Sequence, residues 1–120
     1  MYKVKFYRDK NGNEPVREYL KELAQKNDKD SRINLNKIRD YVKALSLYGK
    51  DLGEPYIKHI DGSIWELRPL RNRILFFAYD GKQFILLSYF IKKTKRTPKR
   101  EIEKAKKLMN EYIERMSDDE

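Results

Sequence analysis

Cysteine is absent from this 120-residue chain, which excludes disulfide bridges and thiol catalysis and fits a reducing compartment. Histidine occurs once, at position 59, so a mechanism shared between two imidazoles is excluded. With carboxylates scattered mostly over helix surfaces, no metal constellation is visible, no glycine-rich phosphate loop appears, and no cofactor is expected. Apolar runs stay well short of the ~20 residues of a spanning helix, and no apolar signal segment follows Met1. The expectation is a cytoplasmic protein with no membrane partner. Acidic residues are the minority charge. Nineteen Asp and Glu face 28 Lys and Arg, and the formal net charge of +9 points to polyanionic partners, nucleic acid first.

What is present suffices for one compact α+β domain spanning residues 1–120. Hydrophobic content of 39%, with nine Tyr and five Phe, can fill one core but not two. No repeat, linker or low-complexity segment interrupts it. Residues Tyr2 to Tyr7 alternate with period two, as a strand does, and Asn11-Gly12-Asn13 ends that pattern. Pro15 can open a helix without losing an intrahelical hydrogen bond, and Val16, Tyr19, Leu20 and Leu23 form its stripe. A second helix starts near Asp28 to Ser31, carries Leu35, Ile38, Val42 and Leu45, and stops at Gly49. The two form an αα-hairpin joined around Lys26-Asn27, placed to cover an apolar sheet face. Tyr56 to Ile60 is a short strand candidate. A last helix begins with Thr97 as N-cap and Pro98 at its first position, with Ile102, Ala105, Leu108, Met109, Tyr112 and Ile113 at helical spacing. The polar tail Ser117 to Glu120 is expected to fray.

Residues Ile64 to Lys93 predict an antiparallel β-meander. Ile64 to Arg68, the loop Pro69 to Asn72, Arg73 to Phe77, the pair Asp80-Gly81 and Phe84 to Lys93 follow one another. Asp-Gly between β-rich runs is a strong hairpin signal, because both central positions of a type I′ turn need positive φ. A two-residue turn would pair Tyr79 with Lys82, Phe76 with Ile85, Leu75 with Leu86 and Arg73 with Ser88. Pairing Arg68 with Arg73 across the preceding loop puts Glu66, Arg68, Arg73, Ser88, Phe90 and Lys92 on one face. Trp65, Leu67, Ile74, Phe76, Ile85 and Leu87 fall on the other. One face is then a core, and the other gathers cations near one end.

Trp65-Glu66-Leu67-Arg68, Arg73 before an apolar strand, Leu86-Leu87, Phe90 with Lys92-Lys93, Thr97-Pro98, and Glu101-Ile102 leading to Ala105 form an ordered set that resembles the RelE/ParE toxin superfamily, within it the HigB branch. The detailed match covers roughly the central and C-terminal half. The resemblance implies a small RelE-like fold: an N-terminal strand, an αα-hairpin, an antiparallel meander and a C-terminal helix. It also implies the toxin of a type II toxin-antitoxin system, a metal-independent, ribosome-dependent endoribonuclease cutting translated mRNA and silenced by a helix-turn-helix, HigA-like antitoxin. ParE-type members share the fold but act on DNA gyrase, so the fold is implied more firmly than the reaction.

RNA cleavage by 2′-hydroxyl attack needs a base, a proton donor for the 5′-oxygen, and cationic stabilisation of the phosphorane. By the resemblance, Arg68 and Arg73 lie where the family's sheet arginines do, and Lys92 and Lys93 match its basic position after the next strand; these four are the catalytic candidates. Arginine suits a bidentate grip on phosphate oxygens. Arg71, Lys95, Arg96, Phe90 and His59 are RNA-binding candidates, Phe90 through base stacking. Relatives that keep a histidine or tyrosine in the C-terminal segment differ from this chain, where Thr94-Lys95-Arg96-Thr97 has neither. The base therefore stays open; clustered cations lower one another's pKa, which would bring a lysine toward the useful range. Plainer readings exist for each residue. Arg68 and Arg73 can be ordinary cross-strand neighbours, one paired with Glu66; the Lys92–Arg100 cations can be a solvated loop; a lone histidine is more often structural. The alternative functions are a non-nucleolytic, ParE-like gyrase inhibitor and a basic nucleic-acid-binding phage-type protein.

Overall fold

The computed structural model describes residues 1–118. In chain order these form β1 (Lys3–Phe6), α1 (Pro15–Gln25), α2 (Lys29–Tyr48) with a short 3₁₀ turn (Gly49–Leu52), β2 (Ile57–Asp61), β3 (Ile64–Leu67), β4 (Asn72–Tyr79), β5 (Gln83–Ile91) and α3 (Lys99–Asp118). The expected α+β, RelE-like order is observed. Four strands run as the antiparallel meander β2 to β5, and β1 returns to lie parallel to β5, giving the order β1-β5-β4-β3-β2.

Local chemistry sets the element ends. Asp28 caps α2, accepting the Ser31 backbone N–H and the Ser31 hydroxyl, each at 2.9 Å. Gly49 ends the helix at φ 58°, where a Cβ would lie 2.5 Å from the Tyr2 ring, so only glycine fits. The start of α3 differs from the N-cap expected of Thr97. The Pro98 carbonyl accepts the first helical bonds from Glu101 and Ile102, while the Thr97 hydroxyl is drawn away to the Glu66 carboxylate at 2.7 Å. Ser117 and Asp118 continue the helix instead of fraying; Asp119 and Glu120 lie outside the described residues.

The hairpin β4–β5 corrects the expected register. Asp80 and Gly81 do take positive φ, 53° and 75°. However, Asp80 Oδ1 accepts the Lys82 N–H at 3.2 Å and Oδ2 accepts the Gln83 side-chain amide at 2.9 Å, which draws Lys82 into the turn. Tyr79 therefore pairs with Gln83 rather than Lys82, and Phe77, not Phe76, faces Ile85. A bulge follows: Leu86 opposes Phe76, Ser88 opposes Leu75, and Leu87 is the extra residue between them. Turn and bulge each shift the pairing by one. Their sum is two, which restores side-chain parity beyond the bulge, so Arg73 faces Phe90 instead of Ser88 yet stays on the expected face. Ile85 and Leu87 lie in the region where parity is lost and move to the opposite side of the sheet.

Both sheet faces are buried, where one cationic face had been expected. Leu67, Ile74, Phe76, Phe84 and Leu86 pack with Val16, Leu23, Leu35, Ile38 and Leu45 of the helical hairpin. Ile64, Leu75, Phe77, Ile85 and Leu87 pack beneath Ala105 and Tyr112 of α3. Six successive residues of β4, Asn72 to Phe77, are consequently buried, the pattern of a central strand covered on both sides. α3 is pinned on either side of its middle, by Tyr7, whose hydroxyl donates to Glu111 at 2.6 Å, and by Lys106, which donates to Asp61 at 2.7 Å. No helix among the described residues is long and apolar enough to cross a membrane.

Candidate functional site at the cationic sheet edge

Where α3 starts, the sheet face it covers ends in polar side chains. Glu66 of β3 is buried at 1% exposure, an expensive place for a carboxylate without partners. It has three. Thr97 donates to Oε2, while the Nε atoms of Arg68 and Arg73 lie 3.2 Å and 3.8 Å from Oε1. β3 pairs with β4 as far as Leu67 and Ile74, in the register expected, which continued by one residue brings Arg68 beside Arg73, and both guanidinium groups reach the same carboxylate.

The two arginines do different things. Arg73 is buried, and its Nη1 donates to the Leu70 carbonyl at 2.8 Å and the Asn72 carbonyl at 2.9 Å. It braces the Pro69–Asn72 loop, in which Leu70 takes φ 58°. Burial first, and then the neighbouring Arg68, pull its pKa below the ordinary guanidinium value, with Glu66 opposing. Arg68 is more open, its side chain 21% exposed.

From this root the chain carries cations outward. Lys92 is half-buried at the end of β5, and Lys93, Lys95 and Arg96 are exposed on the segment crossing to α3. Lys92 N–H donates to the Arg71 carbonyl at 2.8 Å and Arg71 Nη2 donates to the Lys92 carbonyl at 2.9 Å, which ties the β3–β4 loop to the end of β5. Glu66, Arg68, Arg73, Phe90, Lys92, Thr94, Lys95, Arg96 and Thr97 line one small cleft. A wider groove of about 770 Å³ continues from it over Phe90, Ile91, Pro98 and Ile102, rimmed by Lys93, Arg96, Lys99 and Arg100. Phe90 thus faces the cations, whereas Tyr89 stacks on Tyr19 on the other side, ring centroids 4.0 Å apart.

Of the residues singled out from the sequence, Arg68, Arg73, Lys92, Lys95, Arg96 and Phe90 converge on the cleft, and Lys93 joins the adjoining groove. Arg71 does not join them: it lines a separate groove with Tyr19, Asn34 and Tyr89 and meets the edge only through its bonds with the Lys92 backbone. His59 also stands apart. It pairs with Trp65 across β2 and β3, its ring 5.1 Å from the indole on the helical-hairpin side, and its Nε2 lies 2.7 Å from the Gly62 carbonyl. Alternation puts it on the face opposite Glu66. The sequence placed Glu66 on this face, as a partner for one arginine, but not as the buried carboxylate at the root of the cleft, and it read Thr97 only as a helix cap. The burial of Glu66 could have been suspected from its place between two apolar strand residues, Trp65 and Leu67.

Meander, covering helices and a cationic edge rooted on a buried carboxylate define a small α+β protein of the RelE-like class. The family described as phage derived protein Gp49-like (DUF891) matches residues 18–110, and the chain belongs to it; this is a RelE-like toxin family. Comparison with curated proteins gives no match.

Proposed function

We propose that the protein is the toxin of a type II toxin-antitoxin pair, of the HigB-type branch, and that it is an endoribonuclease cutting mRNA on the translating ribosome. The observation that carries this reading is the convergence of Arg68, Lys92, Lys95 and Arg96 on one cleft around a single carboxylate. Such an edge suits a phosphodiester. In the reaction the 2′-oxygen bonds to phosphorus, the bond to the 5′-oxygen breaks, the 2′-hydroxyl proton leaves to a base, and a proton reaches the 5′-oxygen. Arg68, the open arginine, grips the non-bridging oxygens as negative charge builds, with Lys92 and Lys93 beside it. Arg73 holds the loop that carries this geometry and acts through Arg68. Lys95 and Arg96 draw in the backbone, and Phe90 offers an apolar surface to a base.

Among the described residues the cleft brings no imidazole to its one carboxylate, Glu66, which supports dependence on the ribosome for the remainder of the acid-base chemistry. Membership of a RelE-like toxin family implies an antitoxin partner in general; here a helix-turn-helix, HigA-like protein is proposed. The deciding experiment programs purified ribosomes with a message, adds the protein, and chases briefly with EDTA after assembly. Cleavage at codon-linked positions that survives the chase, with free RNA cut poorly, is expected. Equal cutting of free RNA removes the ribosome from the scheme, and no cutting on programmed ribosomes removes the nuclease reading.

A further inference from the structure

The feature left unexplained by a simple phosphate grip is the depth of Glu66. A carboxylate beside two arginines weakens their hold on an anion, so its burial there calls for a compensating role. Its two oxygens face different parts of the chain. Oε2 takes the Thr97 hydroxyl at 2.7 Å, and Thr97 ends the basic segment 92–98. Oε1 sits 3.2 Å from Arg68 Nε, yet neither atom has a hydrogen-bond partner among the described residues. Arg68 is therefore held by charge without a directed bond on its inner nitrogen. Thr97 gives up the capping place at the head of α3 to reach Glu66. Beyond the two bonds between Lys92 and Arg71 at its start, the crossing segment has little else of its own: Thr94 Oγ1 donates to the Arg96 carbonyl, while the exposed Lys95 and Arg96 line the cleft without a hydrogen-bonded partner for their side chains among the described residues.

We propose that Glu66 is the positioning residue of this edge: one oxygen latches the basic segment 92–98 to the sheet through Thr97, and the other orients Arg68 toward the same cleft. This rests on the nuclease reading for its catalytic consequence, and on the fold alone for the latch. Without it, the segment is tied to the β3–β4 loop only at its first residue, where Lys92 and Arg71 exchange two hydrogen bonds, and residues 93–97 lose their link to the strand that precedes Arg68. Because Glu66 is buried behind them, it touches no substrate.

The test uses the full-length protein in three single variants and the Thr97→Val/Glu66→Gln double variant, read two ways. Thr97→Val removes the hydroxyl at nearly constant volume, Thr97→Ser keeps it, and Glu66→Gln keeps the shape and an acceptor oxygen but removes the charge. Amide exchange over residues 92–98 reports the latch; kcat and KM on programmed ribosomes report the chemistry. Thr97→Val is expected to speed exchange in the segment and lower kcat about ten- to a hundredfold, the factor carried by one hydrogen bond to a charged group, with KM moving much less. Thr97→Ser should recover most of that loss. Glu66→Gln should keep much of the latch and still lower kcat. The double variant should fall short of the product of the single losses, because both act through one contact. Unchanged exchange in Thr97→Val, unchanged kcat despite faster exchange, or a Thr97→Ser as impaired as Thr97→Val overturns the proposal. Faster exchange in a protein whose wild type cuts no message keeps the latch and removes the nuclease reading instead.

Discussion

Replacing Arg73 by alanine separates bracing from gripping. Arg73 donates to two carbonyls of the β3–β4 loop and lies 3.8 Å from the buried Glu66. Removing it leaves the Leu70 carbonyl, on an exposed residue, free to take water, whereas the bond to the Asn72 carbonyl is buried and has no such substitute. Losing a buried bond from a charged donor costs about 1.5 kcal/mol or more. Glu66 keeps Arg68 and Thr97, so the 3–5 kcal/mol scale of a fully orphaned buried ion does not apply, and a total of about 2–3 kcal/mol results. For a domain of this size that lowers Tm by about 10 °C. Arg68→Ala removes a side chain whose Nε makes no hydrogen bond to Glu66 and leaves that buried carboxylate the Thr97 hydroxyl and Arg73, so a smaller cost than for Arg73, about 1 kcal/mol, is expected. Thermal melting by circular dichroism, paired with growth arrest on induction at a temperature where both variants are folded, reads the two roles. Arg68→Ala should melt near wild type and lose toxicity; Arg73→Ala should melt far lower. If Arg73→Ala melts within about 2 °C of wild type, a shift under 1 kcal/mol, the bracing argument is wrong.

Two further outcomes follow from other parts of the molecule. Burial first, and then its bond to Glu111, push the Tyr7 hydroxyl up to about 12 from 10.0. Its neutral form is the one the fold favours, so its contribution to stability is complete below pH 10 and is lost as pH rises toward 12; Tyr7→Phe should cost about 1–2 kcal/mol at neutral pH and flatten the alkaline part of a Tm-against-pH curve. The proposed antitoxin should co-purify when the neighbouring reading frame is expressed together with this one and separate in denaturant, whereas a harmless chain recovered alone at high yield argues against the toxin reading.

Much of the site was legible because strand alternation constrains it tightly. Trp65 to Arg68 and the loop to Asn72 give the β3–β4 register from length alone, so Glu66, Arg68 and Arg73 fall together. The β4–β5 register was not legible. The Asp80 side chain enlarges the turn by one residue and a bulge at Leu87 adds another, and neither event leaves a mark in hydrophobic periodicity. Arg73 and Phe90 kept their face because the two shifts cancel in parity, while Ile85 and Leu87 did not. Burial of Glu66 and Arg73 depends on α3 and the 92–98 segment closing over them, which periodicity within one strand does not encode. A strand position also fails to say whether an arginine braces a loop or faces solvent; Arg73 and Arg68 differ in that respect only through their partners.

The most direct test of the central claim maps message ends and plasmid supercoiling in the same induced culture. Primer extension on a translated message should show new 5′ ends at codon-linked positions within minutes of induction, absent in Arg68→Ala, with plasmid supercoiling unchanged. Intact messages together with relaxed plasmid would contradict the account, and the cationic edge would then be a protein-binding surface directed at gyrase.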